Sequence, residues 1–152
     1  MASDLQRLER LLNSAGCGAI SICTHDEDEA LQLVRDAAMG LRADLMVWSV
    51  TQGLREGLVS GAEALPDTEH AAAALFKVSQ MGAPVIVATL DLATHLEDAR
   101  TLRTWREALA ALERCRGKMV MIDHAGSLPA VVRSHCTPLE LSLPEDDELE
   151  RI

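Results

Sequence analysis

Aspartate and histidine recur together at three places in this 152-residue chain. Thr24, His25 and Asp26 follow the apolar run Ala19–Cys23. Asp91 follows Val85–Leu90, with His95 close behind, and Asp123 and His124 follow Lys118–Ile122. Mixed imidazole and carboxylate ligands suit zinc, iron or manganese, and the same groups form acid–base pairs. On the metal reading His25, His95 and His124 are the ligand candidates; on the acid–base reading Asp91 and Asp123 are the catalytic candidates. Ser49 and Thr51, which follow a further apolar run, complete the ligand edge. A plainer role is open to each: Asp26 caps a helix, Asp91 and Asp123 accept loop N–H groups, and the histidines are surface polar residues. A small-ligand pocket stands between these readings. No HExxH spacing is present, and no GxSxG elbow surrounds Ser49, which argues against a serine hydrolase.

These residues converge only if the runs before them are strands of one sheet. Ala19–Cys23, Asp44–Val50, Val85–Leu90 and Lys118–Ile122 have the branched and small side chains of buried parallel strands. Thr137–Leu143 alternates like a fifth, edge strand. Helices are predicted over Asp4–Asn13, from Thr24 or Asp26 through Ala38 to a stop at Met39-Gly40, over Asp67–Gln80 with Asp67 or Thr68 as cap, and over Leu96–Arg116. A short helix opens at Leu128-Pro129. Thr51–Pro66, with three glycines and a proline, reads as loop. Strands alternating with helices predict a three-layer α/β/α sandwich on a mostly parallel five-stranded sheet. Ligands of such sheets sit outside the carboxyl ends of the strands, where the Asp/His residues lie. Trp48 and Trp105 read as packing residues, and Arg100, Arg103 and Arg106 as a solvated stripe.

The first strand-to-helix turn is where phosphate sits in nucleotide-binding α/β domains. A phosphate loop needs glycines for close backbone approach and a lysine for charge. This turn reads Thr24-His25-Asp26-Glu27-Asp28-Glu29, with four carboxylates and neither residue type. It repels phosphate. Asp91 resembles the acidic end of a Walker B strand, but without a phosphate loop it has no nucleotide-bound magnesium to coordinate. The net charge of −10 argues against nucleic acid or an anionic membrane as partner. No apolar run is long enough to span a bilayer, and no signal segment opens the chain, so a cytoplasmic location is expected. Cys17, Cys23, Cys115 and Cys136 form no CxxC pair and read as reduced, structural thiols. Residues 1–143 make one domain on this reading, and 144–152 an acidic tail that links to a missing ATPase module or ends a truncated helix.

THDEDEALQLVRDAA, VWSVTQGL, PVIVATLDLATHLED and the ending LSLPEDDELERI resemble the N-terminal, Walker-less region of cyanobacterial and plastid-type AAA ATPases. The resemblance runs from about Leu5 to Ile152. It implies a P-loop-like α/β domain without its own phosphate loop, placed beside a working AAA module in cis or in trans, and a homo-oligomer in that setting. ATPase activity carries over to no residue here, because GxxxxGK[ST] is absent, and no cofactor is expected. The leading expectation is a catalytically silent assembly or regulatory module. The alternatives are a stand-alone metal-dependent or acid–base enzyme built on the Asp/His edge, and a nucleotide or small-ligand sensor without hydrolysis.

Overall fold

The computed structural model describes residues 3–15, 18–124 and 128–142. Helix α1 (Asp4–Asn13) opens on a reciprocal cap: the Ser3 hydroxyl accepts the Gln6 N–H, and the Gln6 side chain accepts the Ser3 N–H. It leads to β1 (Ala19–Cys23), α2 (Glu27–Gly40), β2 (Asp44–Ser49), β3 (Gly53–Glu56), α3 (Ala71–Ser79) and β4 (Val85–Leu90). A 3₁₀ turn over Ala93–Glu97, α4 (Ala99–Arg114), β5 (Lys118–Asp123), α5 (Ala130–Arg133) and β6 (Cys136–Pro138) complete the order.

The strands form one sheet in the order β3-β2-β4-β5-β1-β6, parallel throughout except for the β2–β3 hairpin. Because side chains alternate along each strand, the sheet has two apolar faces. Ile20, Ile22, Val47, Ile86, Val120 and Ile122 meet α1 and α2 on one. Trp48, Val87, Met119 and Met121 meet α3 and α4 on the other. The three-layer α/β/α architecture is the one expected. Trp48 and Trp105 are both core residues, and Arg100, Arg103 and Arg106 on α4 are exposed, with Arg103 paired to Glu107 at 3.3 Å.

The sheet has six strands rather than five. The additional one is β3, within the stretch expected to be loop. Its sequence Gly-Leu-Arg-Glu carries no apolar run; pairing with β2 makes it a strand. Thr68 then closes part of its outer edge. The Thr68 hydroxyl accepts the Leu54 N–H at 2.8 Å and donates to the Leu65 carbonyl at 2.7 Å, while its carbonyl accepts the Trp48 indole N–H at 2.8 Å. Gly53, at φ +74, is held there: a Cβ would sit 2.9 Å from the Thr68 hydroxyl. Engaging Thr68 this way removes it as a helix cap, and Asp67 adopts φ +60. Helix α3 therefore starts four residues later than expected, with the His70 ring accepting the Ala72 N–H. The long helix expected from Leu96 is divided. Leu96 belongs to the 3₁₀ turn, and Asp98 caps α4 through the Thr101 N–H. The last strand is shorter than expected, Cys136–Pro138, with the Leu139 N–H adding a bond to the Ser21 carbonyl at 2.8 Å just beyond it. Cys17, Leu143 and the tail 144–152 lie outside the described residues.

The Thr68 arrangement has a direct test. Thr68→Val keeps shape but leaves the buried Leu54 N–H unsatisfied, and is expected to cost about 1–3 kcal/mol of unfolding free energy in urea titration. A change below about 0.5 kcal/mol would show that the β3 edge is held by other contacts.

Candidate functional site

The strand order places β1 between β5 and β6, and the helices after β1 and β4 pack on opposite faces of the sheet. Connections that diverge this way open a crevice at the carboxyl ends of the strands. Register carries the chemistry there. Cys23 lies beside Asp123, and the ladders continue one step further: Thr24 N–H donates to the Asp123 carbonyl at 2.9 Å, and Asp91 N–H to the Ile122 carbonyl at 3.0 Å.

Asp123 is the buried member, 3% exposed. Its Oδ1 accepts the Ala93 N–H at 2.9 Å, at the start of the 3₁₀ turn, while Oδ2 has no partner among the described residues. Burial raises its pKa to about 6; the Ala93 N–H opposes the rise, the Asp91 charge adds to it, and His124 lowers it. Burial also raises the Cys23 thiol and pushes Cys136 up to about 11, with Asp123 adding to both. Both shifts disfavour the thiolate, the nucleophilic form.

Asp91 sits in the left-handed region, φ +58, with its carboxylate 3.6 Å from His124 Nε2. Both side chains are more than half exposed, a setting in which an ion pair contributes about 0–1 kcal/mol. Glu27, the first residue of α2, joins this group; burial raises its pKa, and Asp91 and Asp28 raise it further while His124 opposes them. Thr24 and Asp26 organise the helix start. Thr24 Oγ1 accepts the Asp26 N–H at 3.0 Å, and Asp26 Oδ1 accepts the Glu29 N–H at 3.0 Å. A carboxylate of the chain itself therefore occupies an N–H at the helix N-terminus, the position an incoming phosphate would need.

The structure thus brings together Asp91, Asp123, His124, Thr24 and Asp26, and adds Glu27 and Cys23, which the sequence reading had not placed at the ligand edge. The register Cys23–Asp123 follows once both strands are aligned at their starts; Glu27 carried no signal beyond its place in an acidic turn. The remaining candidates lie apart. His25 is exposed. His95 turns its ring toward Trp48, with centroids 5.5 Å apart and an edge-to-face geometry. Ser49 and Thr51 bond to each other at 3.4 Å at the β2–β3 turn, where Ser49 Oγ also accepts the Gln52 N–H. Among the described residues no three His, Cys, Asp or Glu side chains converge closely enough to hold a metal ion. No helix among them is long and apolar enough to cross a membrane.

Comparison with known proteins follows the same outline. No curated protein sequence matches the chain. Among solved structures, that of a DNA replication initiation factor superposes with a TM-score of 0.57 at 10% identity. The match covers 99% of this chain and 50% of that one, and at such identity it speaks for the fold alone. Residues 4–141, nearly all of the chain, match the family of N-terminal domains of SpoVK-like AAA ATPases. The chain belongs to that family, as the sequence resemblance to AAA N-terminal regions implied.

Proposed function

We propose that this domain is a catalytically silent, P-loop-like module that regulates or assembles an AAA ATPase module, joined to it in cis or meeting it in trans, within a cytoplasmic homo-oligomer. Residues 1–143 form the folded unit on this reading, and 144–152 connect it to the motor or dock on it. The observation that carries the proposal is the condition of the β1–α2 turn. Asp26 uses the Glu29 N–H for its own cap, and Glu27, Asp28 and Glu29 fill the first helical turn. Phosphate entering there would lose an N–H donor and meet like charge, the reverse of a helix N-terminus that binds anions. A domain that keeps a nucleotide-binding architecture while repelling the nucleotide acts through its surfaces.

Calorimetry with magnesium-ATP and with ADP is expected to show no saturable heat up to about 1 mM ligand, the range of a Kd worth only about 4 kcal/mol. Saturable binding in the micromolar range would overturn the silent reading in favour of a nucleotide sensor. The companion measurement adds the domain to an AAA module of the same family. A changed ATP turnover or co-sedimentation supports the proposal, and neither would sink it.

A further inference from the structure

The 3₁₀ turn after β4 is a short unit with a pivot at each end. Asp91, before it, stands at φ +58, and Asp98, after it, returns to extended backbone as the cap of α4. Between them the turn closes on itself. The His95 N–H donates to the Leu92 carbonyl at 2.9 Å, and the Thr94 hydroxyl to the Asp91 carbonyl at 3.3 Å. Leu92, Ala93 and Leu96 are buried, the two leucines within the cluster that α3 and α4 form on the sheet. Two hydrogen bonds tie the start of this unit to β5. One runs from the Asp91 N–H to the Ile122 carbonyl at 3.0 Å, between groups that do not titrate. The other runs from the Ala93 N–H to Asp123 Oδ1 at 2.9 Å, and its acceptor does titrate.

The setting of that second tie treats the two forms of Asp123 differently. The carboxyl is 3% exposed, and its Oδ2 has no partner among the described residues. A protonated carboxyl is buried there at little cost and still accepts the Ala93 N–H. A carboxylate leaves a charged oxygen without a donor, and burial penalises charge far more than a neutral polar group. The surrounding elements compensate little. Asp91, at the end of β4, opposes ionisation, and Glu27 on α2 faces Asp91 and His124 in turn. Cys23 on β1 and Cys136 on β6 are thiols that Asp123 itself holds up. His124 favours the carboxylate, but its side chain is 65% exposed and lies 3.6 Å from Asp91. His95, on the turn, faces Trp48 instead. The carboxylate regains water when the turn bonded to it lifts.

We propose that the 3₁₀ turn is a pH-sensitive latch, closed on the sheet while Asp123 holds its proton and opening more often once that proton is lost. Opening carries Leu92 and Leu96 off their cluster and uncovers Asp123, so the carboxyl edge of the sheet presents a different surface in acid and at neutral pH. In the closed form the proton is held up to about pH 6, whereas the hydrated carboxyl of the open form releases it near its ordinary value of 3.8. Between those values each unit of pH favours opening by up to about tenfold. The inference is independent of the nucleotide reading: saturable ATP binding would overturn that reading and leave the latch standing.

Amide hydrogen exchange of the full chain, followed by NMR and corrected for the intrinsic effect of pH, reads the latch at the Ala93 N–H. Its protection is expected to fall about tenfold between pH 5 and pH 7. It is also expected to be lower than that of the β4 and β5 amides and insensitive to low concentrations of urea, as local opening requires. Asp123→Asn is expected to remove the pH dependence, because asparagine keeps an acceptor for Ala93 and cannot ionise. Leu96→Ala loosens the apolar hold without touching the carboxyl, and is expected to speed exchange at every pH while keeping the tenfold change. Ala93 protection that equals that of the strand amides and falls with them in urea would mean that the turn opens only with the whole domain, and would overturn the proposal. So would protection that does not change with pH, or a pH dependence that survives in Asp123→Asn and therefore belongs to His95 or His124.

Discussion

Asp123→Asn is expected to abolish a pH dependence of stability that the unaltered domain shows between about pH 4 and pH 7. Asp123 has its folded pKa raised to about 6 from an ordinary value of 3.8. Between those values the folded protein holds a proton that the unfolded chain has released, so unfolding free energy falls as pH rises. Two units correspond to roughly 3 kcal/mol, fully present as added stability below pH 4 relative to pH 7 and above. The physical cause is a carboxylate 3% exposed, with one oxygen bonded to Ala93 N–H and the other without a partner. Asparagine keeps an oxygen for Ala93 and cannot ionise. The measurement is urea unfolding of both proteins across the pH range, read as the difference between them so that the other acidic groups cancel. The difference should move in favour of the asparagine variant as pH rises from about 4 to about 6, half of the change being reached near pH 5. A difference independent of pH would mean that Asp123 is ionised throughout, stabilised by contacts beyond those described.

The same residue bears on what the crevice does. A carboxyl that titrates near pH 6 is poised for proton transfer, the property that general acids and bases share. Here its bonded oxygen holds the 3₁₀ turn that follows β4, and the neighbouring thiols are pushed up rather than activated. A structural role for Asp123, anchoring one element to the sheet end, accounts for the contacts present.

Trp105→Ala is expected to destabilise the domain by about 3–5 kcal/mol, the cost of emptying a large core site. Trp105 is fully buried on α4, in the cluster with Met119, Met121 and Val132, and its ring meets that of His135 edge-on at 6.0 Å. For a domain of this size the loss corresponds to a melting temperature lower by about 10 °C or more. Trp105→Phe separates volume from polarity. The indole N–H has no partner among the described residues, so phenylalanine removes an unsatisfied donor while giving up part of the ring. Its net cost is expected below about 1.5 kcal/mol. Equal losses for Ala and Phe would show that the indole N–H has a partner after all, or that the site cannot close around a smaller ring.

Much of the architecture was legible in advance for a local reason. Val85–Leu90 and Lys118–Ile122 are buried on both faces of a parallel sheet, so they need no alternation and stand out as apolar runs. Asp26 could be recognised as a possible cap because capping is a contact between residues three apart. The absence of a phosphate loop was equally local: it is read from the types of six successive residues. The helix over 67–80 was misplaced because a residue's capping preference does not reveal a competing partner. Thr68 is a good cap by type, but its hydroxyl is claimed by Leu54, fourteen positions away.

The chain's sequence by itself determined its layers, its strand ends and the acidic character of the turn that would otherwise hold phosphate. Tertiary structure decided which of those ends became a site. Register set Cys23 beside Asp123, docking of the 3₁₀ turn buried one oxygen of Asp123 against a backbone N–H, and His95 was drawn off toward Trp48. The β2–β3 hairpin likewise exists only as a pairing, which sets Leu54 and Arg55 against Trp48 and Val47. Local patterns report each residue's preference for a face or a turn. Burial and unshared charge arise from contacts between elements distant in sequence, and those appear only when the sheet has closed on its helices.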